Sequence, residues 1–428
     1  MKKWLTASLV TMLVLLSACG SGSGDSASGD GGNAEDKVTL TLWNIWTDPS
    51  PQNEANLAQV EKFMEEHPDI IIEQQSIPHD QYKVKLKTQA AGNELPDLMQ
   101  VWPGSELSPL VSGGLLQPID DIVGNWDGLV SDAQLRDYGI DGSQYAIPAA
   151  QTVTGMIYYD KDILAEAGYE EFPKTYEEFK QLITDLRSND IIPITLGNKA
   201  QWILQSTYIS AIGDRMTGSD FLSNVVAGEA SFTDERFVKA VGVIQELAEM
   251  NAFNEDFNAI DNIQHRVLFT SGEAAMMIDG AWSLGSLKEQ APEGMNIGIA
   301  KFPTIEGGDG NPEAVPAVVG TGIAINSDLE GAELEAAKEF LKGFYTEDLF
   351  KAYLEAGVVP AANVEAPEGV DPLVQRVAEL SSGELSPVYD SVLSAQVIST
   401  LNSGLQEVTL GTKTPEELAE DLQAEIEK

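Results

Sequence analysis

The sequence predicts an α/β protein divided into two lobes, and two features of the chain support this fold class. The chain has 428 residues, more than a single compact core usually holds, so two domains or lobes are expected. Beyond residue 37, strand and helix patterns alternate, which is typical of an α/β layer with a largely parallel sheet. No apolar run in this body reaches the roughly 18 residues of a membrane-spanning helix.

The first half of the chain supplies the alternation. Apolar and polar residues alternate in KVTLTLW, which predicts a half-buried first strand. The elements predicted next are a helix at 52–66, a strand in DIIIEQQSI, a helix in QYKVKLKTQAAG closed by Gly92, and a strand in PDLMQVW. Residues 145–159 form a long extended stretch interrupted by Pro148. Such a stretch suits a strand that crosses between two lobes.

The second half of the chain is mainly helical. Thr175 and Glu178 form a capping box at a helix start. Residues 201–290 are mostly helical and enclose a short buried strand at 275–278. The remaining predicted features are a helix from Asp160, a cap at Thr233, a strand in MNIGIAKFP, an extended segment in AVVGTGIAINS, helices near 331–345, 347–356 and 389–408, and a last helix from Thr414 with Glu417 in its capping box.

The N-terminus has the features of an export signal. Two lysines precede an apolar run too short to span a membrane, and the run ends in LSAC with Cys19. This tetrad matches the lipobox of bacterial lipoproteins, and the match implies cleavage of residues 1–18 and a lipid on the Cys19 sulfur. An ordinary signal peptide with a chance cysteine is the alternative. Residues 19–37 are rich in Gly, Ser and acidic side chains, which predicts a flexible tether.

The composition excludes some partners and offers few catalytic motifs. The net charge of −43 disfavours binding to nucleic acid and to anionic lipid headgroups. His67, His79 and His265 are far apart in sequence and show no metal-binding spacing, and neither a nucleophile elbow nor a Walker A loop occurs. We therefore predict no catalytic residue, no metal site and no cofactor. A pair of glycosidase carboxylates stays an open alternative among the 68 acidic residues.

Three tryptophans mark the ends of predicted strands. Trp46, Trp102 and Trp282 lie at or just beyond the carboxyl end of a strand, where ligands bind in open α/β sheets. A flat indole covers the apolar face of a sugar ring, so these residues predict a carbohydrate-binding cleft. The alternative is that they cap the hydrophobic core. Trp43 lies inside the first strand, and the pattern leaves open whether it faces the core or the cleft.

Polar residues near the same strand ends are candidates for the hydroxyl groups of such a ligand. Asp48, Gln151 and Asp279 supply carboxylate and amide groups there. These groups accept and donate the hydrogen bonds that a sugar hydroxyl needs. The residues alone therefore predict a binding cleft with an aromatic wall and a polar rim.

Four segments of the chain resemble one known family. They are FMEEHPDIIIEQQSIPHDQYKVKLKTQAAGNELPDLMQVW, YAIPAAQTVTGMIYYDKDIL, FTSGEAAMMIDGAWSLGSLK and VVGTGIAINSDLEGAELEAAKEFLKGFYT. The family is the extracellular solute-binding proteins of ABC transporters, family 1, the sugar-binding group that includes maltose-binding protein. The resemblance implies a periplasmic-binding-protein-like fold, in which two α/β lobes close on a ligand in the cleft between them.

The resemblance also implies how the chain is divided. One lobe would hold residues 38–149 and 320–368, and the other would hold residues 150–319 and 369–428. Hinge crossovers would lie at 145–155 and 318–324. The matching motifs assign ligand contacts to Trp46 and Asp48, Trp102 and Ser105, Gln151 and Thr152, Trp202, Asp279 and Trp282, Gly320 and Thr321, and Tyr389 as a further stacking ring. The Asp-Arg pair of maltose binders has no arginine counterpart after PDLMQVW, which argues against maltose.

A function follows from the same resemblance. A protein of this family delivers a captured sugar, expected here to be an oligosaccharide, to the permease of an ABC transporter without chemistry on the ligand. The lipid anchor is typical of bacteria without an outer membrane, so we expect a monomer held at the extracellular face of the cell membrane. Three other functions stay open: a secreted glycosidase, a sensory protein that reports to a receptor, and the same fold binding a metal, a polyamine or a phosphate ester.

Overall fold

The computed structural model of this chain describes residues 37–365, 369 and 371–428. The predicted signal peptide at 1–18, the lipidation site Cys19 and the tether up to residue 36 lie outside the described residues. Within the part of the chain that the structure describes, no helix is both long and apolar enough to cross a membrane.

Strands and helices alternate along the described residues. The strands are β1 (Val38–Asn44), β2 (Ile70–Ser76), β3 (Leu98–Val101), β4 (Leu116–Gln117), β5 (Gly139–Ile140), β6 (Ser143–Gln144), β7 (Gln151–Val153), β8 (Met156–Asp160), β9 (Ile192–Thr195), β10 (Ala274–Asp279), β11 (Ile297–Ala300), β12 (Val315–Val319), β13 (Gly322–Asn326) and β14 (Leu385–Pro387). The α-helices are α1 (Pro51–Glu66), α2 (His79–Gly92), α3 (Leu107–Ser112), α4 (Asp132–Leu135), α5 (Lys161–Glu166), α6 (Tyr176–Ser188), α7 (Ser210–Thr217), α8 (Phe221–Val226), α9 (Glu235–Glu249), α10 (Asn262–Thr270), α11 (Leu284–Gln290), α12 (Gly331–Phe344), α13 (Glu347–Glu355), α14 (Pro372–Ser381), α15 (Tyr389–Val392), α16 (Ala395–Thr409) and α17 (Pro415–Ile426). Short 3₁₀ turns occur at Val123–Trp126, Arg136–Tyr138 and Ala281–Ser283, and a π-helix at Leu204–Ile209.

The first lobe is built around a five-stranded sheet in the order β2-β1-β3-β13-β4. β1 runs parallel to β2 and β3, whereas β13 runs antiparallel to β3 and β4. Alternate residues of a strand point to opposite faces, so Leu40 and Leu42 pack on one face with Phe63 of α1 and Phe340 of α12. Tyr82 of α2 packs against the other face. Both faces are covered, and the loops after β1 and β3 leave the same edge of the sheet.

The second lobe is built around a four-stranded sheet in the order β11-β8-β10-β9. β10 runs parallel to β9 and antiparallel to β8. All six residues of β10 are buried. Met276 and Ile278 join the cluster that includes α6, α7, α9 and α16, while Met277 joins a second cluster with Phe269 and Tyr158. The strand is apolar from Ala274 to Ile278 because helices cover both of its faces.

Three passages of the chain connect the lobes. β7 and β12 pair in a third sheet, β14-β12-β7, and the chain enters β13 of the first lobe directly after β12. The Gly320 N–H donates to the Ala150 carbonyl at 2.6 Å, which ties the first two passages together. The third passage is fixed by the Gln151 N–H, which donates to the Val359 carbonyl at 2.9 Å. The motifs predicted only the first two passages as hinges.

The resemblance implies two lobes, each made of two separate segments of the chain. The strands of the five-stranded sheet lie within 38–149 and 320–368, and those of the four-stranded sheet lie within 150–319. We keep the bounds 38–149 with 320–368 and 150–319 with 369–428 as a proposal for the two lobes.

Two predicted helix caps have the expected geometry. The Thr175 side chain accepts from the Glu178 N–H, and the Glu178 carboxylate accepts from the Thr175 N–H at 3.1 Å. Thr414 and Glu417 repeat this arrangement at the start of α17, with Pro415 in the first turn. These two capping boxes were predicted correctly because the signal lies within four adjacent residues.

Two other predicted helix ends are wrong by one residue. Gly92 is the last helical residue of α2, and Asn93 ends the helix in the left-handed conformation with φ of 54°. Asn is one of the few non-glycine residues that adopt this conformation readily. Thr233 does not cap α9. The neighbouring Asp234 does, because its carboxylate accepts from the Arg236 N–H at 2.9 Å.

The long extended stretch predicted at 145–159 does not form a single strand. It contains β7 and β8, which belong to different sheets. Gly155 separates them with φ of +63°, and a Cβ at this position would lie 2.6 Å from the Thr207 carbonyl oxygen. The helix predicted at 389–408 is likewise two helices, because Ser394 begins α16 as its cap. The helix α14 was not predicted.

Candidate ligand-binding site

A cavity of about 210 Å³ lies between the two lobes. Its walls come from the loops after β1 and β3, the start of α2, the passages between the lobes, α10 and the turn after β10. Nine residues predicted to contact a ligand line this cavity: Trp46, Asp48, Trp102, Gln151, Thr152, Trp202, Trp282, Gly320 and Thr321. The carboxyl ends of strands from both sheets therefore meet here, as in other open α/β folds.

A wider depression of about 1070 Å³ lies on the second lobe alone, between α6, α9 and the start of α17. Three of its charged side chains pair with one another. Lys180 Nζ lies 2.8 Å from a Glu177 carboxylate oxygen and 3.1 Å from a Glu246 carboxylate oxygen. The Tyr176 hydroxyl donates to the same Glu246 at 2.9 Å. We place the candidate site in the cavity between the lobes, because its aromatic rings and polar groups converge there from both lobes.

Trp46 forms part of the first-lobe wall and is almost completely buried. Its side chain is 6% exposed and stacks nearly parallel to Phe344, with ring centroids 5.7 Å apart. The Gln100 side chain holds the loop that carries it, since Gln100 Oε1 accepts from the Ile45 N–H at 2.7 Å. Gln100 Nε2 donates to the Thr321 hydroxyl at 3.0 Å. Gln100 therefore joins the Trp46 loop to a passage between the lobes.

Trp102 lies in a second aromatic group of the first lobe. Its ring is edge-on to His79 at 5.3 Å and to Tyr82 at 5.9 Å. Lys83 Nζ lies 4.6 Å from the centroid of the Trp102 ring. His79 and Lys83 also line the cavity, although neither was predicted as a site residue. His79 follows β2 at the start of α2, so the rule that placed the tryptophans at strand ends also applies to it.

Trp202 and Trp282 form the second-lobe wall. Their ring centroids are 5.7 Å apart, and both side chains are partly exposed. The Trp282 indole N–H is buried and has no hydrogen-bond partner among the described residues. A buried donor without a partner costs free energy, so a ligand oxygen that accepts from this N–H would bind favourably.

A buried charged network stands behind Trp282. Asp279 is fully buried and accepts from Arg266 Nε at 3.2 Å and from the Ser283 hydroxyl. His265 Nε2 lies 3.4 Å from the same carboxylate. Burial alone would raise the pKa of Asp279, but the Arg266 guanidinium, His265 and Ser283 outweigh it and lower the pKa to about 2. The Asp279 carboxylate is therefore charged in the folded protein.

Asp279, predicted to contact a ligand, does not line the cavity. Arg266 lines the cavity in its place and was not predicted. Its Nη1 lies 3.5 Å from the Asp48 carboxylate of the first lobe, so the network reaches across the cavity. Asp48 is 26% exposed, and the Asn53 side chain donates to its backbone carbonyl at 2.9 Å.

Two further predicted contacts also lie outside the cavity lining. Ser105 is buried, and its N–H donates to the Asp390 carbonyl at 3.0 Å. Tyr389 is 2% exposed and packs in the second-lobe core beside Phe237, with ring centroids 6.3 Å apart. Burial raises the pKa of Tyr389 well above its ordinary value. The Tyr389 ring, predicted to stack on a ligand, therefore lies outside the cavity lining, and the adjacent Asp390 lines the cavity.

Trp43, whose direction the pattern left open, is absent from the cavity wall. It is partly buried against the face of the first-lobe sheet that α2 covers. Lys85 Nζ of α2 lies 3.6 Å from the centroid of its ring. The described residues also contain no cluster of three or more His, Cys, Asp or Glu side chains placed to hold a metal ion.

Two α/β lobes with an aromatic, polar-rimmed cavity between them are typical of a protein that binds a small molecule. The chain belongs to the bacterial extracellular solute-binding protein family, whose model matches residues 58–380. This finding confirms the family that the sequence resembles. The members of this family and the similar proteins found for the chain are binding proteins.

Individual relatives resemble the chain over most of its length. It is 24% identical over 364 residues to the multiple sugar-binding protein of Streptococcus mutans, an alignment that covers 82% of this chain and 79% of the relative. It is 25% identical over 299 residues to the galactooligosaccharide-binding protein of Bacillus subtilis, covering 68% of this chain and 65% of that protein. A solved chitin oligosaccharide binding protein superimposes with a TM-score of 0.84 at 26% identity, covering 92% of this chain and 98% of that one.

Proposed function

We propose that this chain is the substrate-binding component of an ABC importer and captures a sugar in the cavity between its lobes. The observation that carries the proposal is the set of four tryptophans that line the cavity, Trp46, Trp102, Trp202 and Trp282. Flat aromatic rings cover the C–H faces of a sugar ring. The relatives named for binding sugars support the same ligand class.

The polar groups of the cavity suit the hydroxyl rim of a sugar. Gln151, Thr152 and Thr321 present amide and hydroxyl groups from the passages between the lobes. Asp48 and Arg266 add an ion pair whose outer atoms can accept from or donate to hydroxyls. These groups come from both lobes, so a sugar that binds them would favour the closed arrangement of the lobes.

A thermal-shift screen of the protein without residues 1–36 tests this function. The panel holds mono-, di- and trisaccharides, with spermidine, glycerol phosphate and zinc as controls. A ligand that binds only the folded state raises the melting temperature in proportion to ln(1 + [L]/Kd). We expect at least one sugar to raise the melting temperature and to be recovered unchanged. A shift given only by a control compound would overturn the sugar assignment, and hydrolysis of the sugar would favour an enzyme.

We further propose that the mature protein is a monomer anchored by a lipid on Cys19 at the extracellular face of the cell membrane. This proposal rests on LSAC after a short apolar run and on a Gly- and Ser-rich segment that follows. Delivery to a permease would take place at that surface. In a Gram-positive host, Cys19→Ser should release the protein into the medium, as judged by immunoblots of membrane and medium fractions. Retention of the variant on membranes would contradict the anchor.

A further inference from the structure

One contact between the lobes closes part of the cavity wall. The Trp202 indole N–H of the second lobe donates to Asp80 Oδ1 of the first lobe at 3.1 Å. His79 Nδ1 lies 3.0 Å from the same oxygen, and the His79 ring centroid is 5.0 Å from that of Trp202. We call these three residues, His79, Asp80 and Trp202, the clasp.

The clasp is partly buried and electrostatically satisfied. The side chains of His79 and Asp80 are 19% and 26% exposed. Burial alone would raise the pKa of Asp80, but hydrogen bonds from His79 and Trp202 lower it, so Asp80 accepts both bonds as a carboxylate. Hydrogen bonds to a charged acceptor are stronger than neutral ones. A group that separates Trp202 from Asp80 must therefore replace a favourable interaction.

The clasp also makes the aromatic wall continuous across the cleft. Ring centroids follow one another from Trp102 to His79 at 5.3 Å, from His79 to Trp202 at 5.0 Å, and from Trp202 to Trp282 at 5.7 Å. Aromatic rings at these spacings are in contact. A sugar chain that crossed this wall would have to separate two of these rings.

The enclosed volume is small for a long ligand. The cavity measures about 210 Å³, below the roughly 300–1,000 Å³ of pockets for drug-sized molecules. A cavity below this range suits a ligand of one or two sugar rings better than a longer one.

We propose that the clasp sets an upper limit of two sugar rings on the ligand that the closed protein holds. The inference rests on the proposed function, because it concerns the length of the captured sugar. A third ring must extend past the wall and break the hydrogen bond between Trp202 and Asp80. The loss of one charge-assisted hydrogen bond weakens binding roughly tenfold to a hundredfold.

Calorimetric titrations with sugars of increasing length test this limit. The probes are the one- to four-ring members of the α-1,4-glucose, β-1,4-glucose, α-1,6-galactose and β-1,4-N-acetylglucosamine series. For the series that binds, we expect wild-type affinity to fall at least roughly tenfold from two rings to three. Asp80→Ala opens the clasp without removing a residue of the cavity lining, so it should abolish most of this fall.

A matched control separates the clasp from a general effect on helix starts. Both Glu54 of α1 and Asp80 of α2 are acidic residues in the first turn of a helix, but Glu54 is exposed and lies outside the clasp. Glu54→Ala should leave the ratio of two-ring to three-ring affinity unchanged. The test compares the two-ring and three-ring affinities of one variant. A loss of stability alone lowers both affinities and leaves their ratio unchanged.

The possible outcomes test the two-ring limit separately from the proposed function. Equal or rising wild-type affinity through four rings would overturn the limit and leave sugar capture intact. If the fall in affinity from two rings to three persists in Asp80→Ala, the clasp does not set the limit. Failure of every sugar to bind, with folded protein by circular dichroism, would overturn both the proposed function and the inference.

Discussion

The two lobes hold their sides of the cavity by different means. On the first-lobe side, Trp46 is fixed by stacking on Phe344 and by the neutral amide of Gln100. On the second-lobe side, the turn that carries Trp282 rests on the buried ion pair between Asp279 and Arg266. Burial of apolar surface is non-directional, whereas a buried charge requires each partner in its place. The first-lobe side should therefore depend on the apolar area that it buries, and the second-lobe side on each charged partner.

The largest expected effect comes from breaking the buried ion pair. Arg266→Met leaves the Asp279 carboxylate buried without its cation, which should lower the free energy of unfolding by about 3–5 kcal/mol. Arg376→Met is a matched control, because Arg376 pairs with Glu379 at the surface, where the two side chains are 40% and 67% exposed. That control should lose less than about 1 kcal/mol. Urea unfolding followed by tryptophan fluorescence measures both, and similar losses would contradict the contrast.

Substitution of Trp46 and substitution of Trp282 should have different effects. Trp46→Ala removes a ring that is 6% exposed and should cost about 3–5 kcal/mol of stability. Trp282→Ala removes a partly exposed cavity ring and should weaken sugar binding by about 2 kcal/mol, roughly thirtyfold, in a folded protein. Titration calorimetry and thermal unfolding of both variants test this. Near-native sugar affinity in Trp282→Ala would contradict the role of this ring as a platform for the sugar. Trp43→Ala is the control, because Trp43 lies outside the cavity, and it should leave the affinity unchanged.

A smaller effect follows from the pKa of Asp279, which is lowered to about 2 in the folded protein. A lowered carboxyl pKa contributes stability above its ordinary value near 3.9, and this contribution is lost as the pH falls toward about 2. Asp279→Asn should therefore cost on the order of 2 kcal/mol at pH 7. The difference from wild type should shrink in urea titrations between about pH 4 and pH 2. A difference that stays constant over this range would contradict the assignment.

The sequence predicted the tryptophans of the site because their signal is local. Trp46, Trp102 and Trp282 each follow a recognisable strand, and parallel strands bring such positions to one edge. Strands and capping boxes were predicted for the same reason, since a few adjacent residues define them. The interpretation that these tryptophans cap a core fits Trp46, which is buried, and Trp102, which packs against a core cluster, although both also line the cavity.

The remaining site residues depend on contacts that no local pattern contains. Arg266 lies in the middle of α10 and gains its position from Asp279 of β10 and Asp48 of the other lobe. Gln100 is a strand residue that becomes important only through Ile45 and Thr321. The resemblance placed Tyr389 at the cavity, but its ring lies in the second-lobe core. The side chain one position later reaches the cavity instead.

Gly280 has a consequence for how this site can change in evolution. A Cβ at position 280 would lie 2.3 Å from an atom of the Trp282 ring, although the φ of Gly280 is an ordinary −95°. The indole itself, rather than the backbone conformation, therefore demands glycine. The two positions should vary together: a larger residue at 280 becomes acceptable only after the indole at 282 is lost. Loss of the aromatic ring could then become hard to reverse, because a side chain acquired at 280 would block its return.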